Sequence, residues 1–181
     1  MKYGELNLGQ VEAEAIVNKL GSMDGARRFL SGESVVKMVE YVINCDVDPF
    51  VSNGWKAESH TKGGQFAFDP AKIKFYLSPN QLDGKRIEGN KLRKELANEP
   101  VLNANVLDYL LKNSHLIPED WKKDERGNTR YIFFWGTIYR YSYGFLFVRC
   151  LCWWHDGSWR WDLHWLDYDW IDYHPAAVLA S

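Results

Sequence analysis

Residues 145–165, FLFVRCLCWWHDGSWRWDLHW, decide the fold of this chain. The Asp156-Gly157 pair inside this stretch is typical of a tight hairpin turn. It separates a predicted strand over Phe145–Trp154 from a second strand that begins at Trp159. Alternation along the second strand gives a tryptophan face and a polar face, namely Trp159, Trp161 and Trp165 against Arg160, Asp162 and His164. The sequence therefore predicts an antiparallel, aromatic-rich hairpin.

The same composition extends over the last 51 residues, from Tyr131 to Ser181. Seventeen of them are aromatic, and Lys, Glu, Gln, Asn and Met are all missing. Residues 131–140 are rich in aromatic and β-branched side chains and predict another strand, which a turn at 141–144 connects to the hairpin. An aromatic and acidic loop at 167–174 and a closing strand at 176–180 complete the prediction.

The preceding residues predict more helix. Apolar residues at helical spacing predict helices over residues 7–43, and residues 90–97 and 103–112 predict two more. Short strands are expected at residues 65–68 and 73–77. We therefore expect an α+β fold: a helical N-terminal region over 1–43, for packing, adaptor use or oligomerisation, and a ligand-binding domain over 44–181.

The terminal segment separates into buried and exposed candidates. Periodicity predicts that Trp135, Trp159, Trp161 and Trp165 lie in the core. The residues between the tryptophans are often Tyr, Asp and His, and Tyr offers a large contact area at a low rotamer cost, as in binding loops. We predict a ligand-binding surface made of the following residues: Tyr141, Tyr143, Phe145, His155, Asp162, His164, Tyr168, Ile171, Tyr173 and His174.

Several segments of the chain resemble segments of known proteins. These segments are residues 133–140 (FFWGTIYR), 157–161 (GSWRW) and 175–181 (PAAVLAS), with Val148-Arg149, Trp165-Leu166 and Trp170 between them. They resemble paralogous proteins of small-genome candidate-phylum bacteria. Upstream segments, such as residues 106–111 (VLDYLL) and 116–121 (LIPEDW), are similar to the same proteins. The resemblance covers most of the chain but implies no specific activity.

The alternation of these segments with variable-looking residues also resembles the variable proteins of diversity-generating retroelements. That resemblance implies a C-type-lectin-like fold and a hypervariable region at about 141–174, in which template adenines, chiefly of asparagine codons, are randomised. All the intervening residues can have codons that end in a pyrimidine, namely Tyr141, Tyr143, Phe145, Cys150, Cys152, His155, Asp162, Leu163, His164, Tyr168, Ile171, Tyr173 and His174. Tryptophan codons contain no adenine and would persist.

Other function classes have less support. A net charge of −2 and only Arg27 and Arg28 in a possible recognition helix argue against nucleic acid. His155, His164 and His174 match no metal-binding spacing, and Gly63-Gly64 lacks the Lys-Ser/Thr of a phosphate loop, so neither metal nor cofactor is predicted. The expected partner is a protein or a carbohydrate. The alternative is a small hydrolase or sugar-processing domain that uses two aspartates of the terminal loop.

The chain has neither a leader-like apolar run near its N-terminus nor a run of 18 apolar residues. The default expectation is a cytoplasmic chain without a membrane span, with export by another route left open. Three cysteines, Cys45, Cys150 and Cys152, lack redox or zinc spacing and suggest buried thiols.

Overall fold

A computed structural model describes residues 41–180 together with Ser22, Asp24, Arg27, Arg28 and Ser31. The elements of residues 41–180 are, in chain order, β1 (Val42–Asn44), β2 (Trp55–His60), β3 (Gln65–Ala67), β4 (Ile73–Tyr76), β5 (Ile87–Glu88), α1 (Gly89–Glu95), α2 (Ala104–Lys112), β6 (Ile132–Phe133), β7 (Thr137–Tyr141), β8 (Leu146–Trp153), β9 (Trp159–Trp165), β10 (Asp169–Trp170) and β11 (Ala176–Leu179). Short 3-10 turns lie at Pro70–Lys72, Leu96–Asn98, Ser114–Leu116 and Glu119–Trp121.

Strand β8 is the centre of a seven-stranded curled sheet. One edge of β8 pairs antiparallel with all of β9, from Phe147↔Trp165 to Trp153↔Trp159. The other edge pairs with β7 at its beginning and with β6 further along. Because β6 and β7 follow each other with three residues between them, they act as one bent strand beside β8. The sheet then continues from β7 to β2 and from β6 to β11 and β4.

Both faces of β8 are buried, each against a different helix. Phe147 and Leu151 face the side on which α2 packs, where Val106, Leu107 and Leu110 are fully buried. Val148 and Cys150 face the other side, together with Leu92 of α1 and the buried Trp170. The sheet therefore lies between two short helices and has a hydrophobic core on each face.

A charged residue lies inside this apolar strand. Arg149 is 1% exposed, and its two terminal nitrogens donate to Asp108 of α2 at 2.7 and 3.2 Å. A buried guanidinium without a carboxylate partner is strongly destabilising. The pair therefore determines how α2 sits on β8, since the helix must present Asp108 at one position.

The N-terminus of α2 is held by a polar network. The Asn103 side chain accepts from the Asn105 N–H and donates to the carbonyls of Cys45 and Thr61, each at 2.9 Å. The Ala104 N–H donates to the Thr137 hydroxyl of β7 at 3.0 Å. These bonds satisfy buried backbone groups at the start of the helix and attach α2 to two parts of the sheet.

The structure corrects the predicted fold class. Residues 41–180 are mostly sheet with two short α-helices, in place of the α+β, C-type-lectin-like arrangement. Most of the predicted helical region over 1–43 lies outside the described residues. Within it, Asp24, Arg27 and Arg28 are helical. At its end, Val42 and Ile43 belong to strand β1 instead. Residues 42 and 43 form a strand because β1 pairs with β3. β-branched residues such as Val42 and Ile43 are compatible with a helix or a strand, so the available pairing partner determines which one forms.

The largest omission from the prediction is β2. Residues 55–60 (WKAESH) have exposed side chains along most of their length, so they lack the apolar pattern of a core strand. They form a strand because β7 offers a free edge, and Arg140 of β7 holds Glu58 in a bidentate ion pair at 2.6 and 2.8 Å. Among the helices that the structure describes, none has the length and apolar character needed to cross a bilayer.

We expect Asp108→Ala to lower the free energy of unfolding by about 3 kcal/mol or more, because it leaves the buried Arg149 guanidinium unpaired. Adding Arg149→Met should recover a large part of this loss. Urea unfolding followed by fluorescence measures both values. The matched control is Glu119→Ala, which breaks an exposed ion pair with Lys122 and should cost much less. Equal losses for Asp108→Ala and the control would contradict this account of β8.

Candidate ligand-binding surface

Exposed aromatic side chains gather where β7, β8 and β9 meet at one end of the sheet. Tyr143 in the β7–β8 turn is 80% exposed, Phe145 is 54% exposed, and Tyr168 after β9 is 58% exposed. Gly144 allows this tight turn through its φ of +95°. The half-buried Tyr141 ring lies 5.6 Å from that of Tyr143.

Trp165 connects this exposed group to the core. Its ring centroid lies 6.1 Å from Phe145 and 6.3 Å from Tyr141 on the outer side. On the inner side it lies 5.3 Å from Phe147, a fully buried residue that stacks on Tyr139 at 5.4 Å. Tyr141 and Phe145 thus stand on packed rings, which restrict the positions of these two side chains before any ligand arrives.

A shallow concavity of about 240 Å³ opens between Phe145, Trp165, Asp167 and Tyr168. The Asp167 carboxylate accepts a hydrogen bond from the Asn90 amide of α1 at 2.9 Å, which orients it at the edge of this concavity. The close approach of α1 to the residue before Asp167 requires Gly89, because a Cβ there would lie 2.7 Å from the Leu166 Cα. The concavity therefore combines three aromatic rings with one fixed acceptor group.

Trp161 extends the aromatic side chains along the same face of β9. The sequence predicts this residue in the core, whereas the structure leaves it 41% exposed. Its ring contacts Trp55 edge-on at 5.7 Å and covers the Arg149 guanidinium at 4.8 Å. Periodicity assigned the correct face, but the core on that face does not extend over this ring. We use the term aromatic surface for Tyr141, Tyr143, Phe145, Trp161, Trp165 and Tyr168.

The ten predicted binding residues do not form one surface. The structure brings together Tyr141, Tyr143, Phe145 and Tyr168, as described above. His155 lies in the β8–β9 turn, at the opposite end of these strands. Asp162 is exposed and His164 half-buried, and both lie on the face of β9 opposite Trp161. The His164 ring nevertheless lies 6.0 Å from the Tyr168 ring, edge-on.

The remaining three predicted residues, Ile171, Tyr173 and His174, follow β10. Ile171 and Tyr173 are half-buried, and the carbonyls of Ile171 and His174 accept from the buried Gln81 amide at 2.9 and 3.1 Å. His174 is 9% exposed, with Nδ1 unpaired among the described residues. Its ring packs against Phe133 and lies 4.9 Å from His164. We leave His174 out of the aromatic surface.

The predicted list of binding residues includes neither Trp165 nor Asp167, although Asp167 belongs to the predicted aromatic and acidic loop. Trp165 occupies a position that periodicity sends inward, and Asp167 resembles any solvated acidic residue of a loop. A signal was present, since both precede the predicted Tyr168 by at most three residues. Only the return of the chain towards the β7–β8 turn places them beside Phe145.

Catalytic chemistry has little support in the described residues. A cleft of about 480 Å³ contains Asp83, Asp124, Glu125 and Asp172, but Asp172 is paired with Arg126 at 2.9 Å. Partial desolvation raises the pKa of Asp124, yet hydrogen bonds from Asn128 and Arg126 outweigh it and bring the pKa below its usual range. A glycosidase acid requires the opposite shift.

Metal and thiol chemistry are no better supported. Residues 41–180 contain no group of three or more His, Cys, Asp or Glu side chains arranged to hold a metal. Cys150 and Cys152 are both buried, and burial raises the pKa of Cys150 well above its usual value. A hydrogen bond with Cys150 lowers the pKa of Cys152, but neither thiol is accessible to a substrate, because both side chains are buried.

Comparison of the chain with protein-family models, with curated proteins and with solved structures gives no match. The functional argument therefore rests on the geometry of the aromatic surface.

Burial, and to a smaller extent the neighbouring His164, lowers the pKa of His174 to about 3. In the unfolded chain this histidine has a pKa of about 6.5, so it binds a proton at pH values where the folded chain does not. The free energy of unfolding therefore falls as the pH falls from about 6.5 towards 3. His174→Phe should reduce the loss of unfolding free energy between pH 7.5 and pH 5 by about 2 kcal/mol. Urea unfolding at both pH values measures this loss.

The matched control for that measurement is His155→Gln, at an exposed side chain. If His174→Phe and the wild type lost the same stability between the two pH values, the neutral buried state of His174 would be refuted.

Proposed function

We propose that this chain is a ligand-binding protein and that the aromatic surface is its binding site. The observation that carries the proposal is the exposure of Tyr143, Phe145 and Tyr168 above a packed aromatic layer. Exposed apolar clusters of this kind mark interaction sites in folded proteins. Rings held in place before binding lose little conformational freedom on binding, which favours affinity.

The chemistry of the concavity indicates the kind of ligand. Aromatic faces supply apolar contact area, while the Asp167 carboxylate, oriented by Asn90, offers an acceptor for a hydroxyl or amide donor. A carbohydrate or a protein loop presents both apolar patches and donors of this type. We propose a ligand from these two classes.

We also propose that Tyr141, Tyr143, Phe145 and Tyr168 are diversified by a retroelement. Support comes from the placement of Tyr141, Tyr143, Phe145 and Tyr168 at the periphery, where substitution costs little, while Trp170, whose codon contains no adenine, is fully buried. Cys150, Cys152 and His174 are buried, so we exclude them from the diversified set.

The genomic locus tests this second proposal. We expect a reverse transcriptase gene beside a near-copy of the segment for residues 131–181, with adenines in that copy at the codons for Tyr141, Tyr143, Phe145 and Tyr168. Related loci should differ at those codons and agree at Phe147 and Trp170. Variation spread evenly over residues 131–181 would sink the proposal of diversification and leave the binding proposal standing.

Binding itself is tested with the double variant Tyr143→Ser/Phe145→Ser. The probes are an array of defined oligosaccharides and a displayed peptide library selected on the wild-type protein. For the tightest probe obtained, the double variant should raise the dissociation constant at least about tenfold, because it removes central aromatic contacts. Its melting temperature should stay close to that of the wild type, since both side chains are mostly exposed.

The matched control is Val47→Ser/Leu82→Ser, two exposed apolar residues outside the aromatic surface, which should leave the affinity unchanged. Affinity that is insensitive to the Tyr143 and Phe145 substitutions would place the site elsewhere. A folded wild type that binds nothing in either library would count against the proposal as well.

A further inference from the structure

The outer edge of β9 is open within residues 41–180. β9 pairs with β8 along one edge, and no strand of residues 41–180 pairs with the other. At the two ends of the pair, the Leu166 N–H donates to the Leu146 carbonyl and the Trp154 N–H donates to the Ser158 carbonyl. The N–H and carbonyl groups of the even-numbered residues of β9 therefore point towards β8. Because backbone direction alternates along an antiparallel strand, the N–H and carbonyl groups of Trp159, Trp161 and Leu163 point outwards.

The outward backbone groups are mostly without partners among the described residues. The Leu163 N–H donates to the Asp162 carboxylate at 2.7 Å, and the Trp165 carbonyl accepts from the Trp170 indole at 3.3 Å. The N–H and carbonyl groups of Trp159 and Trp161 and the Leu163 carbonyl are left for water or for another strand. Such a row is a template for strand pairing.

The other edges of the large sheet are protected in ways that β9 is not. Edge strand β2 contains an irregularity between Ala57 and Ser59 and carries Lys56 and Glu58. Edge strand β4 is four residues long and carries Lys74. β9 has seven residues with a regular register throughout and contains neither lysine nor proline. Bulges, lysines and short length are the usual protections of an edge.

We propose that two copies of this chain pair through β9, antiparallel, about a two-fold axis at Trp161. In this register Arg160 of each copy lies directly opposite Asp162 of the other. Both side chains are exposed and lie on the same face of the strand. The opposite charges therefore attract a second copy where like charges would repel it.

The backbone groups suit the same register. Trp161 would exchange two hydrogen bonds with its counterpart, and each Trp159 N–H would donate to the Leu163 carbonyl of the other copy. These four bonds use groups that have no partner among residues 41–180. Arg160 keeps a terminal nitrogen for the new contact, because its bonds to Asp156 and Ser158 use Nη2 and Nε.

Neighbouring registers are less favourable. An axis at Asp162 also brings outward backbone groups together, with Trp161 opposite Leu163, but it places two carboxylates directly opposite each other. An axis at Leu163 requires its N–H, which Asp162 already occupies, and it extends the pairing past Trp165, where β9 ends. The axis at Trp161 is the register that sets opposite charges against each other and forms four backbone bonds; the Leu163 N–H, held by Asp162, and the Trp159 carbonyl opposite it do not take part.

Pairing about Trp161 goes beyond the proposed ligand binding and does not depend on it. A two-fold axis perpendicular to the sheet leaves the Trp161 faces of both copies on the same side. The two aromatic surfaces would then be continuous and would offer a ligand two sites at a fixed spacing. A ligand with repeated epitopes would gain affinity through this arrangement.

The test is the mass of the full-length chain in solution, measured by light scattering after size exclusion and by sedimentation over a concentration series. The wild type should be a dimer. Arg160→Asp and Asp162→Arg should each raise the dimer dissociation constant at least about tenfold, because each places like charges opposite each other. The double variant Arg160→Asp/Asp162→Arg should restore the dimer, and the control Lys56→Asp on β2 should not change it.

Circular dichroism shows whether each variant is folded. If a charge variant unfolds, Trp161→Lys replaces it in the test of dimer formation. This substitution places two lysines at the two-fold axis and should give a folded monomer. A wild type that is still monomeric at about 100 µM, the upper end of the concentration series, overturns the proposal. So does a dimer that both single charge reversals leave intact, or a folded double variant that stays monomeric. The monomeric charge-reversal variants at Arg160 and Asp162, which lie outside the aromatic surface, should still bind its probe, so the two proposals can fail separately.

Discussion

Strand β8 is bonded along both edges and buried on both faces, and the remaining sheet is arranged around this constraint. One edge requires β9, and the other requires the bent pair β6 and β7. One face requires α2, which must present Asp108 to the buried Arg149. An apolar strand tolerates such a charge only with its partner in place, so the ion pair selects one position of the helix among several that hydrophobic packing alone would allow.

This arrangement separates residues that hold the fold from residues that meet the solvent. Phe147 and Trp165 are two residues of the same cross-strand pair, yet one is fully buried and the other supports the exposed Phe145. Substitution outside this boundary changes what the surface contacts, whereas substitution inside it changes whether the chain folds. A protein with such a division is suited to presenting different side chains on one scaffold.

Local pattern predicted several of the individual strands and helices but not their assembly. The Asp156-Gly157 turn and the alternation after Trp159 predict the β8–β9 hairpin, and the structure has it. The sequence did not reveal β2, whose pairing depends on an edge far away in the chain, nor the exposure of Trp161. The candidate site was predicted in part for the same reason: Tyr143 and Phe145 lie in a recognisable turn, whereas their proximity to Trp165, Asp167 and Tyr168 arises only when β9 returns alongside β8.

The most direct test of this division is saturation mutagenesis of residues 141–174, with each variant scored for folded protein by protease resistance on a display system. The account predicts that Tyr143, Phe145 and Tyr168 accept nearly every substitution, while Phe147, Arg149 and Trp170 accept very few. Intolerance at the three exposed positions equal to that at the three buried ones would contradict it, because the aromatic surface would then be part of the fold rather than a surface for a ligand.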